Sequence, residues 1–350
     1  LRLRQRLEQE TRKAAPEQAL RFERAVQTLE EAHVSTIHGF CADLLRERPV
    51  EARVDPLFRV LTESQANRLL SETFDLWLRA NLETPPEGVR RSLRRASRWS
   101  FGQDGDGPVE RLRRAAIDLN QWRDFRAPWR RDAFDRSAAI ARLVDLVHAL
   151  ADVTACATSH RDNLFADSAP VRALSDEIRR GASDGLPHDD DGLESRLVEL
   201  SRNRDWLRAR KGSGAQFAPG IPRVGVLEAR DGLIGALHDF RVQADADLAA
   251  TLHTELLECL DEYERRKEAE GALDFLDLLV RARDLVRRDN EVRAHFQQRF
   301  TRIFVDEFQD TDPIQAELLL LLAADDPRQT VSTSVVPVPG KLFVVGDPKQ

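Results

Sequence analysis

The chain has no methionine among its 350 residues and only three cysteines, Cys41, Cys156 and Cys259. They are scattered, odd in number and lack ligand spacing, which excludes a disulfide framework or a cysteine zinc site. Long apolar stretches are missing too. The longest, Leu318 to Ala324, has seven residues, against the roughly 20 that a membrane-spanning helix needs. No basic-then-apolar leader opens the sequence, so the expected address is cytoplasmic and no membrane partner is expected. Lysine is scarce: Lys13, Lys211, Lys267, Lys341 and Lys349 are five of 53 basic residues. That bias fits a GC-rich genome better than a mechanism. Also absent is G-x-x-x-x-G-K-[ST], the loop that cradles nucleotide phosphates. The single Gly-Lys pair, Gly340-Lys341, continues into leucine and lacks the upstream glycine.

What remains is 41% apolar and 32% charged, with a net charge of −7. Such a composition belongs to a helix-rich globular chain, and the length suggests about two domains. The sequence opens mid-pattern with LRLRQRLEQE and stops at GDPKQ directly after an apolar run, so a piece of a longer protein is expected. Charge is uneven: residues 1–75 carry net −1, residues 76–130 net +5, and the rest net −11. The middle segment is where a polyanion is expected to touch.

Most of the chain reads as amphipathic helix. Leu20, Phe22, Val26 and Leu29, then Leu69, Leu70, Phe74, Trp77 and Leu78, recur at helical spacing. Thr62 with Gln65 predicts a capping-box helix start. Two short apolar runs differ: Arg302 to Asp306 and Lys341 to Asp347 are rich in β-branched and aromatic residues, and each ends in an acid. They predict central strands of a parallel sheet, covered on both faces; His33 to Ile37 is a weaker third candidate. No buried strand is expected between Phe74 and Tyr263. The reading is therefore α/β, with a motor-type domain over residues 1–75 and 263–350 and a helical insertion over 76–262.

The strongest chemical signal is Ile303-Phe304-Val305-Asp306-Glu307-Phe308-Gln309-Asp310. An apolar strand that delivers adjacent carboxylates at its end is the Walker B arrangement, the first acid beside a nucleotide-bound magnesium and the second beside the attacking water. A bare Asp-Glu pair after a strand is ordinarily a solvated turn; the longer string with Gln309 and Asp310 favours the nucleotide reading. Gly346-Asp347-Pro348-Lys349-Gln350 ends the second run, 36 residues after Asp310 counted to Gly346, and with a helix between them the two runs make a βαβ unit. Arg90, Arg91, Arg94, Arg95 and Arg98 fall on one side of a helix, with Trp99 and Phe101 following. That face suits a phosphate backbone, or simply solvent. His188 with Asp189, Asp190 and Asp191 lies in a Gly/Pro-rich stretch that predicts a mobile acidic connector rather than a metal site.

VDEFQD, then GDPKQ, with TIHGFC upstream and ALDFLDLL (Ala272 to Leu279) between, resembles the UvrD/RecB-type superfamily 1 DNA helicases, and most of all their RecB/AddA helicase–nuclease branch. The likeness covers Ala32 to Asp75 and Tyr263 to Gln350; the middle matches only in helical character. It implies a partial RecA-like P-loop NTPase domain interrupted by a large helical insertion, using ATP and Mg2+. By resemblance, Asp306 holds the metal, Glu307 activates water, Gln350 senses the γ-phosphate, and Gln309 and Asp310 link the nucleotide site to the DNA path. Thr36, His38 and Phe40 match a motif that contacts single-stranded DNA, although packing at a helix start explains His38 and Phe40 as well. Asp274 and Asp277 fall near the domain junction, where a buried helical face accounts for their neighbours.

The implied activity of the whole protein is 3′→5′ translocation on single-stranded DNA in repair or recombination. Double-stranded DNA and a second protein of the helicase–nuclease kind are the further partners implied. The phosphate loop is expected before TIHGF and the second motor domain after Gln350, so these residues alone are expected to hydrolyse no ATP. Another P-loop ATPase and a non-catalytic helical DNA-binding scaffold are the alternatives.

Overall fold

The computed structural model describes every residue except 1, 30, 31, 96–106, 130, 186, 209, 211 and 348–350. The chain divides into two compact units, one built from Leu1–Ala66 with Arg266–Gln350, the other from Asn67–Arg265. Helix dominates both, and the described strands are two or three residues long.

In the first unit, helices Ile37–Glu47, Phe275–Arg288 and Pro313–Ala323 bury one apolar cluster that includes Cys41, Leu44, Leu45, Leu278, Leu285, Leu318 and Leu322. Two parallel strand pairs lie in the same unit. Arg59–Val60 pairs with Ala272–Leu273, and Ile303–Val305 pairs with Leu342–Val344. Asp274 and Asp277 close a capping box at the start of Phe275–Arg288. Both carboxylates also accept from the buried Lys267 ammonium, at 3.1 and 2.6 Å. Burial of a lysine is tolerated here because two acids satisfy it, and these aspartates act as helix cap and counter-ion.

Some expectations change. The apolar runs at 303 and 342 do form parallel strands, yet they are not covered on both faces. Phe304 is 74% exposed and stacks on Phe343 with ring centroids 4.9 Å apart, and among the described residues nothing covers that face. His33 to Ile37 is no strand: the segment runs as coil into the helix Ile37–Glu47, where Thr36 is the N-cap and its hydroxyl accepts from the Gly39 N–H at 3.2 Å. A threonine ahead of a helix satisfies an orphan backbone donor, and that outweighs its β-propensity. Thr62 and Gln65 do form the reciprocal pair at the start of Glu63–Ala80.

Among its described residues the second unit is helical apart from one small antiparallel hairpin, Gln216–Ala218 with Ile221–Pro222, which the sequence pattern does not announce. Its Gly220 sits at φ +76, a left-handed conformation that glycine adopts without strain. The 47-residue helix Arg223–Ala269 is its longest element. Four described side chains meet it in antiparallel order: Arg131 pairs with Asp247, Trp129 stacks on His253, Arg126 pairs with Asp261 and Arg123 with Glu264.

The acidic stretch after His188 is a helix start rather than a mobile connector. Asp189 caps Asp190–Arg202, Asp190 accepts from Ser137, and Asp191 is buried against Arg90 and Arg136.

Candidate nucleotide-hydrolysis site

Strands Ile303–Val305 and Leu342–Val344 run parallel and in register, Val305 opposite Val344. Both chains therefore leave the sheet at the same end. Hydrogen bonds continue past the strands, from the Val345 N–H to the Val305 carbonyl at 2.8 Å and from the Phe308 N–H to the Val345 carbonyl at 2.9 Å. Residues 306–310 and 345–347 are thus laced together beyond the sheet edge, where open α/β sheets bind ligands.

Asp306 is the first residue past its strand. It is exposed, and one carboxylate oxygen accepts from the Glu307 N–H at 3.1 Å. Glu307 then takes φ +53. Among the described residues only Arg53 shares a positive φ without being glycine. A side chain in this region costs on the order of 1–2 kcal/mol, and such strain persists where the surroundings dictate it. Here the left-handed residue turns the chain directly into the 3-10 turn Phe308–Asp310. Gln309 donates its amide to the Glu307 carboxylate and accepts from the Asp347 N–H at 3.0 Å. Asp310 is exposed, and its N–H bonds the Glu307 carbonyl at 3.0 Å.

Among the described residues, neither Asp306 nor Glu307 is paired with lysine, arginine or histidine. Exposed, unpaired carboxylates at a strand end suit a divalent cation that also takes phosphate oxygens. The described residues contain no cluster of three or more acids, histidines or cysteines arranged for a metal. Gln350 lies outside the described residues. Strand pattern and spacing identify the acids from sequence, but the strained φ of Glu307 and the bridging amide of Gln309 escape that reading, because no local pattern encodes them.

TIHGF opens the helix Ile37–Glu47. Thr36 is exposed with its hydroxyl occupied as the cap. His38 packs edge-on against Phe275 at 5.1 Å, and Phe40 against Phe300 at 5.1 Å. Burial lowers the His38 pKa, with Asp312 partly opposing it, which favours the neutral ring. Both rings are half-buried at the edge of the core.

The arginine-rich helix corrects another expectation. Arg91 is fully buried and is shared by Glu87, Glu194 and Asp247. Arg95 is held by Glu194 and Asp245. Neither side chain reaches a DNA phosphate from this arrangement, because acids distant in sequence neutralise both. Arg94 keeps 60% of its side chain exposed, with Asp189 at 3.7 Å; Arg98 falls outside the described residues.

The family model described as UvrD/REP helicase N-terminal domain matches residues 4–211 and 228–350. The chain belongs to that family. A probable DNA helicase II homolog of Mycoplasma genitalium is 36% identical over 101 residues, 29% of this chain and 12% of that protein. Proteins named as ATP-dependent helicase/nuclease subunits are similar over far more of it. The Desulfitobacterium hafniense protein is 22% identical over 91% of the chain, and the Staphylococcus aureus protein 22% over 92%. The chain spans about a quarter of these relatives, 25% and 28% of their length. No described helix is long and apolar enough to cross a membrane.

Proposed function

We propose that this chain carries the hydrolytic carboxylates of an ATP-driven DNA motor. In this reading the first unit is part of a RecA-like domain and the second is a helical insertion into it. The carrying observation is the held geometry at Glu307: a non-glycine residue in left-handed conformation at a strand end, its carboxylate fixed by Gln309. Asp306 takes the magnesium and Gln350 meets the γ-phosphate. Mg2+ held there would neutralise negative charge on the nucleotide's phosphates. Glu307 orients the attacking water and accepts its proton on a carboxylate oxygen, and the rigid strand keeps it from drifting. Gln309 and Asp310 lie beside the bound nucleotide and pass its state toward the DNA path. Thr36, His38 and Phe40 at the start of the helix Ile37–Glu47 contact single-stranded DNA, and Arg94 adds a phosphate contact.

The whole protein, in this reading, moves 3′→5′ along single-stranded DNA in repair or recombination. Both of the longer-matching relatives are named as helicase/nuclease subunits, which supports a partner protein and a nuclease activity in the complete assembly. The test is ATP hydrolysis by the full-length protein with and without single-stranded DNA. Strong stimulation by DNA is expected. Hydrolysis indifferent to DNA points to a different P-loop ATPase, and none at all to a scaffold.

A further inference from the structure

The Gln309 side chain makes one hydrogen bond at each end of its amide. Nε2 donates to the Glu307 carboxylate, and Oε1 accepts from the Asp347 N–H at 3.0 Å. The amide orientation is fixed by chemistry, since a carboxylate only accepts and a backbone N–H only donates. Gly346 makes room for it. A Cβ there would lie 2.5 Å from Gln309 Oε1 and 3.2 Å from the backbone nitrogens of Phe308 and Gln309. The need for glycine is one of space.

We propose that Gln309 is a positioning residue that couples the Gly346–Asp347 turn to the Glu307 carboxylate through its side-chain amide. A shift of that turn moves Oε1, rotates the amide and re-aims Glu307. The inference rests on the reading of Glu307 as the water-orienting group and adds a device that makes hydrolysis depend on the end of the neighbouring strand. Misplacing a catalytic group by about 1 Å costs up to about a hundredfold in rate.

The experiment uses the full-length protein, with DNA-stimulated ATP turnover and the affinity for a fluorescent ATP analogue as readouts. Gln309→Ala is expected to lower kcat on the order of ten- to a hundredfold, with KM, analogue affinity and unfolding temperature unchanged. Gln309→Glu keeps an acceptor for the Asp347 N–H but sets a second carboxylate against Glu307, and is expected to lose at least as much. Gly346→Ala lowers kcat by displacing the amide, so it adds little in a Gln309→Ala background. Losses that multiply in the double variant overturn the proposal. So does near-normal turnover by Gln309→Glu, weakened analogue binding with kcat intact, or a fall in unfolding temperature that accounts for the lost rate. Full turnover by Glu307→Gln sinks the underlying hydrolytic reading instead, which separates the two failures.

Discussion

Arg91 and Glu194 face each other inside the helical unit at 3.1 Å, with 0% and 1% of their side chains exposed. Around them Asp247, Glu87, Arg95 and Arg136 complete a network in which each charge has an opposite neighbour. The +5 segment thus spends its strongest cations on the fold. Arg91→Ala removes the buried cation that Glu194 and Asp247 share, leaving Glu194 to Arg95 and Arg136, and is expected to cost about 1–3 kcal/mol in urea unfolding. Replacing Arg91 and Glu194 together by apolar residues of similar volume is expected to cost less, because neither charge is left alone. A DNA-binding defect without any loss of stability would contradict this assignment.

Asp191 sets the acid limit of the same network. Burial pushes its carboxyl up, but hydrogen bonds from Arg90 and Arg136 outweigh that and hold it below its ordinary value of 3.8. The unfolded chain then binds more protons than the folded one near that pH, so stability rises with pH there. The contribution is complete above the ordinary value and disappears as pH falls through the lower folded value. Asp191→Asn is expected to flatten the acid limb of the stability-versus-pH curve; an unchanged slope refutes the ion-pair account.

Thiol reactivity offers an independent check of burial in each unit. Burial pushes the Cys41 and Cys259 thiols up to about 12, aided by Asp312 and Glu262 respectively. Cys156 is exposed. Since the thiolate is the nucleophile, an alkylating reagent at pH 8 is expected to label Cys156 rapidly in the native protein, and Cys41 and Cys259 only in denaturant. Rapid labelling of all three would mean that Cys41 and Cys259 are not buried in the folded protein.

These contrasts show which parts of the molecule are legible in the sequence. Asp306 and Glu307 announce themselves because an apolar run and two acids are adjacent, so one short window holds the whole pattern. Capping by Thr62 and Gln65 is equally local. Arg91 is misleading in sequence because its partners Glu194 and Asp247 lie 103 and 156 positions away, and counting charge in a window cannot see them. Phe304 misleads for a related reason: an apolar strand residue does not say whether anything covers it. The bridge from Glu307 through Gln309 to Asp347 spans 38 positions at its longer step, and exists only once the two strands are paired. Thr36 shows local competition, where a cap overrides a β-branched residue's preference.

The central claim is that Glu307 primes water for attack on a bound nucleotide while taking little part in holding it. Its direct test is Glu307→Gln in the full-length protein, measuring single-turnover ATP hydrolysis on saturating single-stranded DNA beside the affinity for an ATP analogue. The expected result is a rate lower by a factor on the order of 10²–10⁴ with analogue binding retained. Turnover at the unsubstituted rate would contradict the account.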